Sequence, residues 1–119
     1  MATPRGYLLS RAARPGVECK VACVHTAGDM GRELQTIVDA GGEVVDVEVE
    51  HPVYGQITGA LHIRSRYDVE EFLRRVEKHG AQPLSALTGG VHLHTIRCPD
   101  QAVLERVIAA LDREGLRYR

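Results

Sequence analysis

The stretch Gly-Gly-Val-His-Leu-His-Thr-Ile at residues 89–96 decides how the rest of the chain is arranged. Its pattern predicts a β-strand, in which side chains two positions apart leave the same face. His92 and His94 therefore lie side by side, roughly 6–7 Å apart at their Cα atoms, and can converge on one metal ion or one anionic ligand. The glycines before them allow a sharp turn or a close approach of the backbone. We expect the other elements to bring a third histidine and a carboxylate to this pair.

The composition of the chain is that of one small globular domain. Its 119 residues are enough for a real core, with 44% hydrophobic and 26% charged residues. A net charge of −1 and the absence of Trp give no sign of a nucleic-acid or membrane surface. No apolar run approaches the roughly 20 residues of a membrane span, and no signal peptide begins the chain. Three cysteines, an odd number, suggest free thiols in a reducing cytoplasm.

The first half of the chain predicts a strand followed by a helix. Residues 1–16 form a lead-in, and residues 17–25 alternate as a strand whose inward row includes Cys19 and Cys23 as small core residues and ends at His25. A turn then opens a helix, with Asp29 as its cap and Gly41-Gly42 as its end. Its apolar stripe comprises Met30, Leu34, Ile37 and Val38. Glu33 borders that stripe, within reach of the end of the first strand.

The second half predicts a hairpin, two helices and the His-x-His strand. Residues 44–51 place Val45, Val47, Val49 and His51 on one face and three acidic residues on the other, and residues 56–63 return as the partner strand. Ser65 caps a second helix, 81–88 is a loop, and Pro99-Asp100 starts a third helix that ends at Gly115. This order predicts an α+β fold, a ferredoxin-like βαββαβ antiparallel sheet with an additional C-terminal helix.

Four polar side chains form the strongest candidate site: His25, Glu33, His92 and His94. Three imidazoles and one carboxylate suit zinc, nickel, iron or another borderline ion. The alternative is two histidines at an exposed strand edge and an acid that favours the helix dipole. The sequence does not fix how far apart the first and last strands lie. His51 either contacts a ligand or bonds to the turn backbone, and Arg66 is either a carboxylate partner or part of a solvated loop.

Two segments carry a resemblance to a known family. Glu-His-Pro-Val-Tyr-Gly at 50–55 and the stretch at 89–96 resemble signatures of the 3H domain, and the likeness extends over about residues 17–113. That domain, named for its histidines, is the effector half of niacin-responsive repressors of NAD biosynthesis genes. The resemblance implies a metal-containing sensor that binds nicotinic acid and forms a homodimer. The family's metal ligands fall on His25, Glu33, His92 and His94.

From this resemblance we expect residues 17–119 to be a cytoplasmic, non-enzymatic sensing domain that controls NAD biosynthesis or niacin uptake genes. His51, Tyr54 and Arg66 would contact nicotinate. Family members usually carry an N-terminal winged helix-turn-helix, and residues 1–16 resemble its end. We therefore expect DNA contact only through such a domain, which this sequence lacks. A metal-dependent binding module or a hydrolase using the same ligands to activate water remains the alternative.

Overall fold

The computed structural model describes residues 16–80 and 82–118, which form four strands and three α-helices. The lead-in therefore lies almost wholly outside the described residues. The elements in chain order are β1 (Val17–Val24), α1 (Met30–Asp39), β2 (Glu43–His51), β3 (Gly55–Ile63), α2 (Arg66–His79), β4 (Val91–Cys98) and α3 (Gln101–Arg113). The predicted α+β class, the βαββαβ order and the additional C-terminal helix are confirmed.

The sheet is antiparallel throughout, with its strands in the order β1-β4-β2-β3. The first and last strands are thus direct neighbours, which the sequence had left open. His92 pairs with Cys23 of β1, and His94 pairs with Val21 on one side and Val47 on the other. The His-x-His pair therefore lies on one of the two central strands, on the same face as the inward row of β1.

A bulge in β2 changes the predicted alternation of that strand. The register shifts between Val44 and Asp46, so that Val44 pairs with Ile96 while Val47 pairs with His94. Val44 is fully buried in the core, whereas Val45 is only partly buried. The prediction that Val45 begins the inward row is therefore wrong, because the extra residue in the bulge puts Val44 in phase with Val47.

The predicted wet face of β2 also carries an exception. Glu48 is 5% exposed, and its Oε1 lies 2.6 Å from the Lys20 Nζ. A buried carboxylate requires such a partner, because its desolvation is otherwise costly. The acidic face is thus partly covered by a neighbouring lysine side chain.

The helices bury part of their predicted apolar stripes in one core with the sheet. The helical members of this core are Leu34, Ile37, Val69, Leu104, Val107 and Leu111, and its strand members include Val21, Val44, Ile63 and Ile96. None of the helices within 16–80 and 82–118 is long and apolar enough to cross a membrane.

The helix starts agree with the sequence in two cases out of three. The Ser65 side chain accepts a hydrogen bond from the Asp68 N–H, and Asp100 accepts one from Val103. Asp29 accepts no such bond; it ends a 3-10 turn, Ala27–Asp29, that runs into α1. Asp29 therefore holds the predicted N-cap position of α1 but does not make the side-chain hydrogen bond expected of a cap. The predicted loop before β4 contains a short 3-10 helix, Leu84–Thr88.

Candidate metal centre

Three histidines, one directly after β1 and two on β4, meet around a single carboxylate in the first turn of α1. The Nε2 atoms of His92 and His94 lie 2.9 Å and 2.7 Å from the nearest carboxylate oxygens of Glu33. The Nε2 of His25, the residue after β1, lies 3.1 Å from Glu33 Oε1. Each of the four side chains is at most 4% exposed. The structure thus brings together all four predicted ligand residues in a cluster that we call the His3Glu cluster.

The other ring nitrogen of each histidine is held by the backbone. Nδ1 of His25 donates to the Thr26 carbonyl at 2.6 Å, that of His92 to Gly90 at 2.8 Å, and that of His94 to Asp46 at 2.9 Å. Because a carbonyl oxygen only accepts, each Nδ1 carries the hydrogen, and in the neutral ring each Nε2 carries a lone pair. Metal-ligating histidines are oriented in this way.

The centre of the cluster is electrostatically incomplete. Lone pairs on three Nε2 atoms and the negative charge of Glu33 repel one another unless protons or a cation lie between them. The His25 Nε2 is buried and has no hydrogen-bond partner within the described residues. Three imidazole nitrogens and one carboxylate oxygen match the donors that zinc and other borderline divalent ions accept. The residues present therefore fit a transition-metal ion.

The pKa values of the cluster reflect the same contacts. Burial alone lowers the pKa of His25, but the contact with the Glu33 carboxylate and its charge outweigh it, so that this pKa is raised. Burial alone raises the pKa of Glu33, but its contacts with the imidazoles of His25, His92 and His94 outweigh it, so that this pKa is lowered. Both shifts favour a charged pair in the absence of an ion.

Two cavities adjoin the His3Glu cluster. One is a small, largely apolar space of about 40 Å³ against the imidazoles. The other is an open cleft of about 470 Å³, within the usual range for small-molecule sites. His25, Pro83 and Ser85 line both. The polar lining of the cleft further includes Thr26, Asp29 and Arg32. The cleft is thus the larger space from which a ligand would reach the cluster.

Gly90 makes the close backbone approach that its position predicts. Its φ is +99°, and a Cβ at this position would lie 2.4 Å from the His25 carbonyl oxygen. The same residue supplies the carbonyl that holds His92. Only glycine therefore allows the chain to position His25 and His92 together.

The remaining predicted ligand contacts lie elsewhere. The His51 Nδ1 accepts hydrogen bonds from the backbone N–H groups of Val53 and Tyr54, at 3.1 Å and 3.2 Å. The Tyr54 ring is exposed and lies 4.9 Å from that of His51. Arg66 forms a bidentate ion pair with Asp39. None of the three predicted contacts lines either cavity. Their role in ligand binding stays a prediction.

Cys23, which the sequence predicts to be a small core residue, lies beside the His3Glu cluster. This thiol is fully buried, and its Sγ and the nearest ligand atoms of Glu33 and His92 all lie within 4.8 Å of one another. The only signal in the sequence was that Cys23 precedes His25 by two positions and so shares its face. The carbonyls of Thr26, Asp46 and Gly90 were equally invisible, because every residue has a carbonyl.

These features define a small α+β domain with three imidazoles converging on a buried carboxylate beside an open cleft. Residues 18–119 match the 3H domain family, and the chain belongs to that family. It is 44% identical over 115 residues to the probable transcription repressor NiaR of Thermotoga maritima. It is 40% identical over 119 residues to the transcription repressor NadR of Bacillus subtilis.

The matches to these relatives cover almost all of this chain but only part of theirs. They include 97% and 98% of this chain, and 65% and 66% of the relatives. The chain therefore spans just under two thirds of the length of the curated relatives it matches. Both relatives are named as repressors rather than as enzymes.

Proposed function

We propose that this chain is the effector-sensing domain of a transcription repressor, in which the His3Glu cluster holds a divalent transition ion such as zinc, nickel or iron. One observation carries the proposal: every Nδ1 is tied to a carbonyl while three Nε2 atoms face one carboxylate. A bound ion would supply the positive charge that this donor set lacks. The names of the two relatives support the regulatory role.

The proposed effector is nicotinic acid, and the cleft beside His25 is the site best suited to it. The Arg32 guanidinium lines this cleft and lies 2.8 Å from Glu114 Oε1. The carboxylate of the ligand would replace Glu114 as the partner of this guanidinium, since arginine binds carboxylates in a bidentate manner. The cleft is a better candidate than the hairpin tip, where His51 already accepts two backbone hydrogen bonds.

The regulatory output follows from differential binding. Nicotinate would shift the placement of two subunits only by its difference in affinity for the two arrangements. A winged helix-turn-helix domain attached to each subunit would report that shift to the operators of NAD biosynthesis or niacin uptake genes. Homodimer formation, DNA contact through such a domain and the target genes are parts of the same proposal.

Calorimetry with nicotinate on metal-loaded and chelated protein tests the proposal. We expect metal-dependent binding that His92→Ala and His94→Ala abolish, since each removes an Nε2 from the cluster. His79→Ala is the matched control, because His79 is an exposed residue at the end of α2. Metal content after dialysis, measured by mass spectrometry, checks the ion separately.

Two outcomes would contradict the proposal in different ways. Retention of metal with no heat from nicotinate would leave a metal-binding module without this effector. Retention of metal together with turnover of an ester panel would favour the hydrolase.

A further inference from the structure

Cys23 occupies a position from which it can reach the ion proposed for the His3Glu cluster. It lies in β1 directly opposite His92 of β4. Its side chain is fully buried, and its Sγ falls within 4.8 Å of ligand atoms of both Glu33 and His92. The hydrogen bond it makes to the Val21 carbonyl is long, at 3.8 Å. Burial and the neighbouring Glu33 carboxylate raise the pKa of this thiol, which faces the same carboxylate as the three imidazoles.

A second observation points to a ligand at this place. The His25 side chain is 2% exposed, and its Nε2 has no hydrogen-bond partner in the described part of the chain. A buried polar atom without a partner costs free energy unless something satisfies it. Glu33 links this atom to Cys23, because its Oε1 lies 3.1 Å from the His25 Nε2 and one of its carboxylate oxygens lies within 4.8 Å of the Cys23 Sγ.

We propose that Cys23 is a sulfur ligand of the same ion, so that this chain binds metal through a mixed nitrogen, oxygen and sulfur set. The inference rests on the metal centre proposed above. On coordination the thiol proton passes to solvent and the thiolate bonds to the ion. A zinc–sulfur bond is about 2.3 Å and a zinc–nitrogen bond about 2.0–2.1 Å, so the side chains close in slightly.

Sulfur ligation would change which ions the site prefers. Thiolates favour soft and borderline ions such as zinc and cobalt over manganese, which prefers oxygen. A site of imidazoles and carboxylate alone has the same preference in weaker form. The added sulfur therefore separates this proposal from the His3Glu cluster acting without it.

Titration with Co²⁺ tests the proposal, because a sulfur–cobalt bond adds a near-ultraviolet charge-transfer band to the visible bands of the bound ion. We expect the band in the wild-type chain and its loss in Cys23→Val, which fills similar space. Cys19→Ser should keep the band; Cys19 is a partly buried residue of the same strand. Zinc affinity should fall roughly tenfold or more in Cys23→Val, while manganese affinity stays unchanged.

The outcomes distinguish failure of this proposal from failure of the metal centre. Visible cobalt bands without the charge-transfer band in the wild-type chain would overturn sulfur ligation and leave the His3Glu site standing. No cobalt bound by the wild-type chain would overturn both. Neither reading depends on whether Cys23→Val folds, since both come from the unmodified protein. Equal zinc affinity in a folded Cys23→Val, verified by circular dichroism, would also overturn the sulfur ligand.

Discussion

Each imidazole of the cluster is oriented by one backbone carbonyl, and that dependence makes the turn before β4 as important as the histidines. Gly90 both supplies the carbonyl for His92 and lies against the His25 carbonyl. Gly89, its neighbour, also has a positive φ of +67° but has nothing within 4 Å of a Cβ. A side chain at Gly89 would therefore meet only an unfavourable backbone conformation, whereas one at Gly90 would also meet a steric clash.

Substitution of these two glycines should have unequal effects. Gly89→Ala should lower the free energy of unfolding by about 1 kcal/mol, through the left-handed backbone alone. Gly90→Ala should lower it by roughly 3 kcal/mol or more, because the new methyl group meets a carbonyl oxygen. Urea denaturation of the two variants measures the difference. Equal losses would show that the close contact with His25 does not constrain the turn.

The sequence predicts the members of the cluster better than their surroundings. The alternating pattern puts His92 and His94 on one face of β4, and it puts His25 at the end of the inward row of β1. Because β1 and β4 pair in the sheet, these two faces become one surface. The place of Cys23 beside the cluster is not predictable from the sequence, because a buried thiol also serves as an ordinary core residue. The orienting carbonyls are not predictable either, because their role depends on which strands become neighbours, and that is a tertiary fact.

At the scale of the element, the helix starts carry a direct test. Ser65→Ala should lower the free energy of unfolding by about 1 kcal/mol, since the side chain of Ser65 accepts a hydrogen bond from the Asp68 N–H. Asp29→Ala should cost less than half as much, because its side chain makes no cap bond at the start of α1. Chemical denaturation of both variants gives the comparison. A larger loss for Asp29→Ala would restore the capping role that the structure removes.

The bulge in β2 shows where element-level prediction ends. Val44 and Val45 are both apolar, so the pattern of residues 44–51 fits an inward row that begins at either of them. The register against β4, where Val44 pairs with Ile96 and Val47 with His94, decides between the two. The sequence of one strand does not show where a bulge inserts an extra residue, because the bulge is defined by the pairing with the neighbouring strand. The bulge also brings the Asp46 carbonyl to His94.

For the molecule as a whole, the raised pKa of His25 and the lowered pKa of Glu33 predict a maximum of stability with pH in protein freed of metal by a chelator. The Glu33 pKa is lowered from its ordinary value of 4.5, so its contribution is present above that pH and is lost as the pH falls. The His25 pKa is raised from 6.5, so its contribution is present below that pH and is lost as the pH rises through the raised pKa. Stability should therefore be greatest between these two values.

Urea unfolding of chelator-treated protein from about pH 4 to about pH 9 measures this maximum. Glu33→Gln removes the carboxylate that raises the His25 pKa, so the decline above neutral pH should be absent in that variant. A wild-type stability that keeps rising above pH 6.5 would contradict the assignment.

Metal addition and removal should also act on the whole fold. Free ion at about 100 times its dissociation constant stabilises a folded state by about 2.7 kcal/mol. For a chain of this size that corresponds to a rise in Tm of roughly 10 °C. Chelator should reverse the rise, and His92→Ala should not show it, as differential scanning calorimetry can verify. A wild-type Tm indifferent to saturating ion would exclude a site formed only in the folded state.

The exposed tip of the hairpin between β2 and β3, where Val53 and Tyr54 are each 77% exposed, divides the cluster evenly. His25 and Glu33 precede the tip along the chain, and His92 and His94 follow it. One proteolytic cut there would leave two donors on each fragment. An ion bound by all four side chains would then hold the two fragments together after cleavage. The fragments would separate only when a chelator removes the ion.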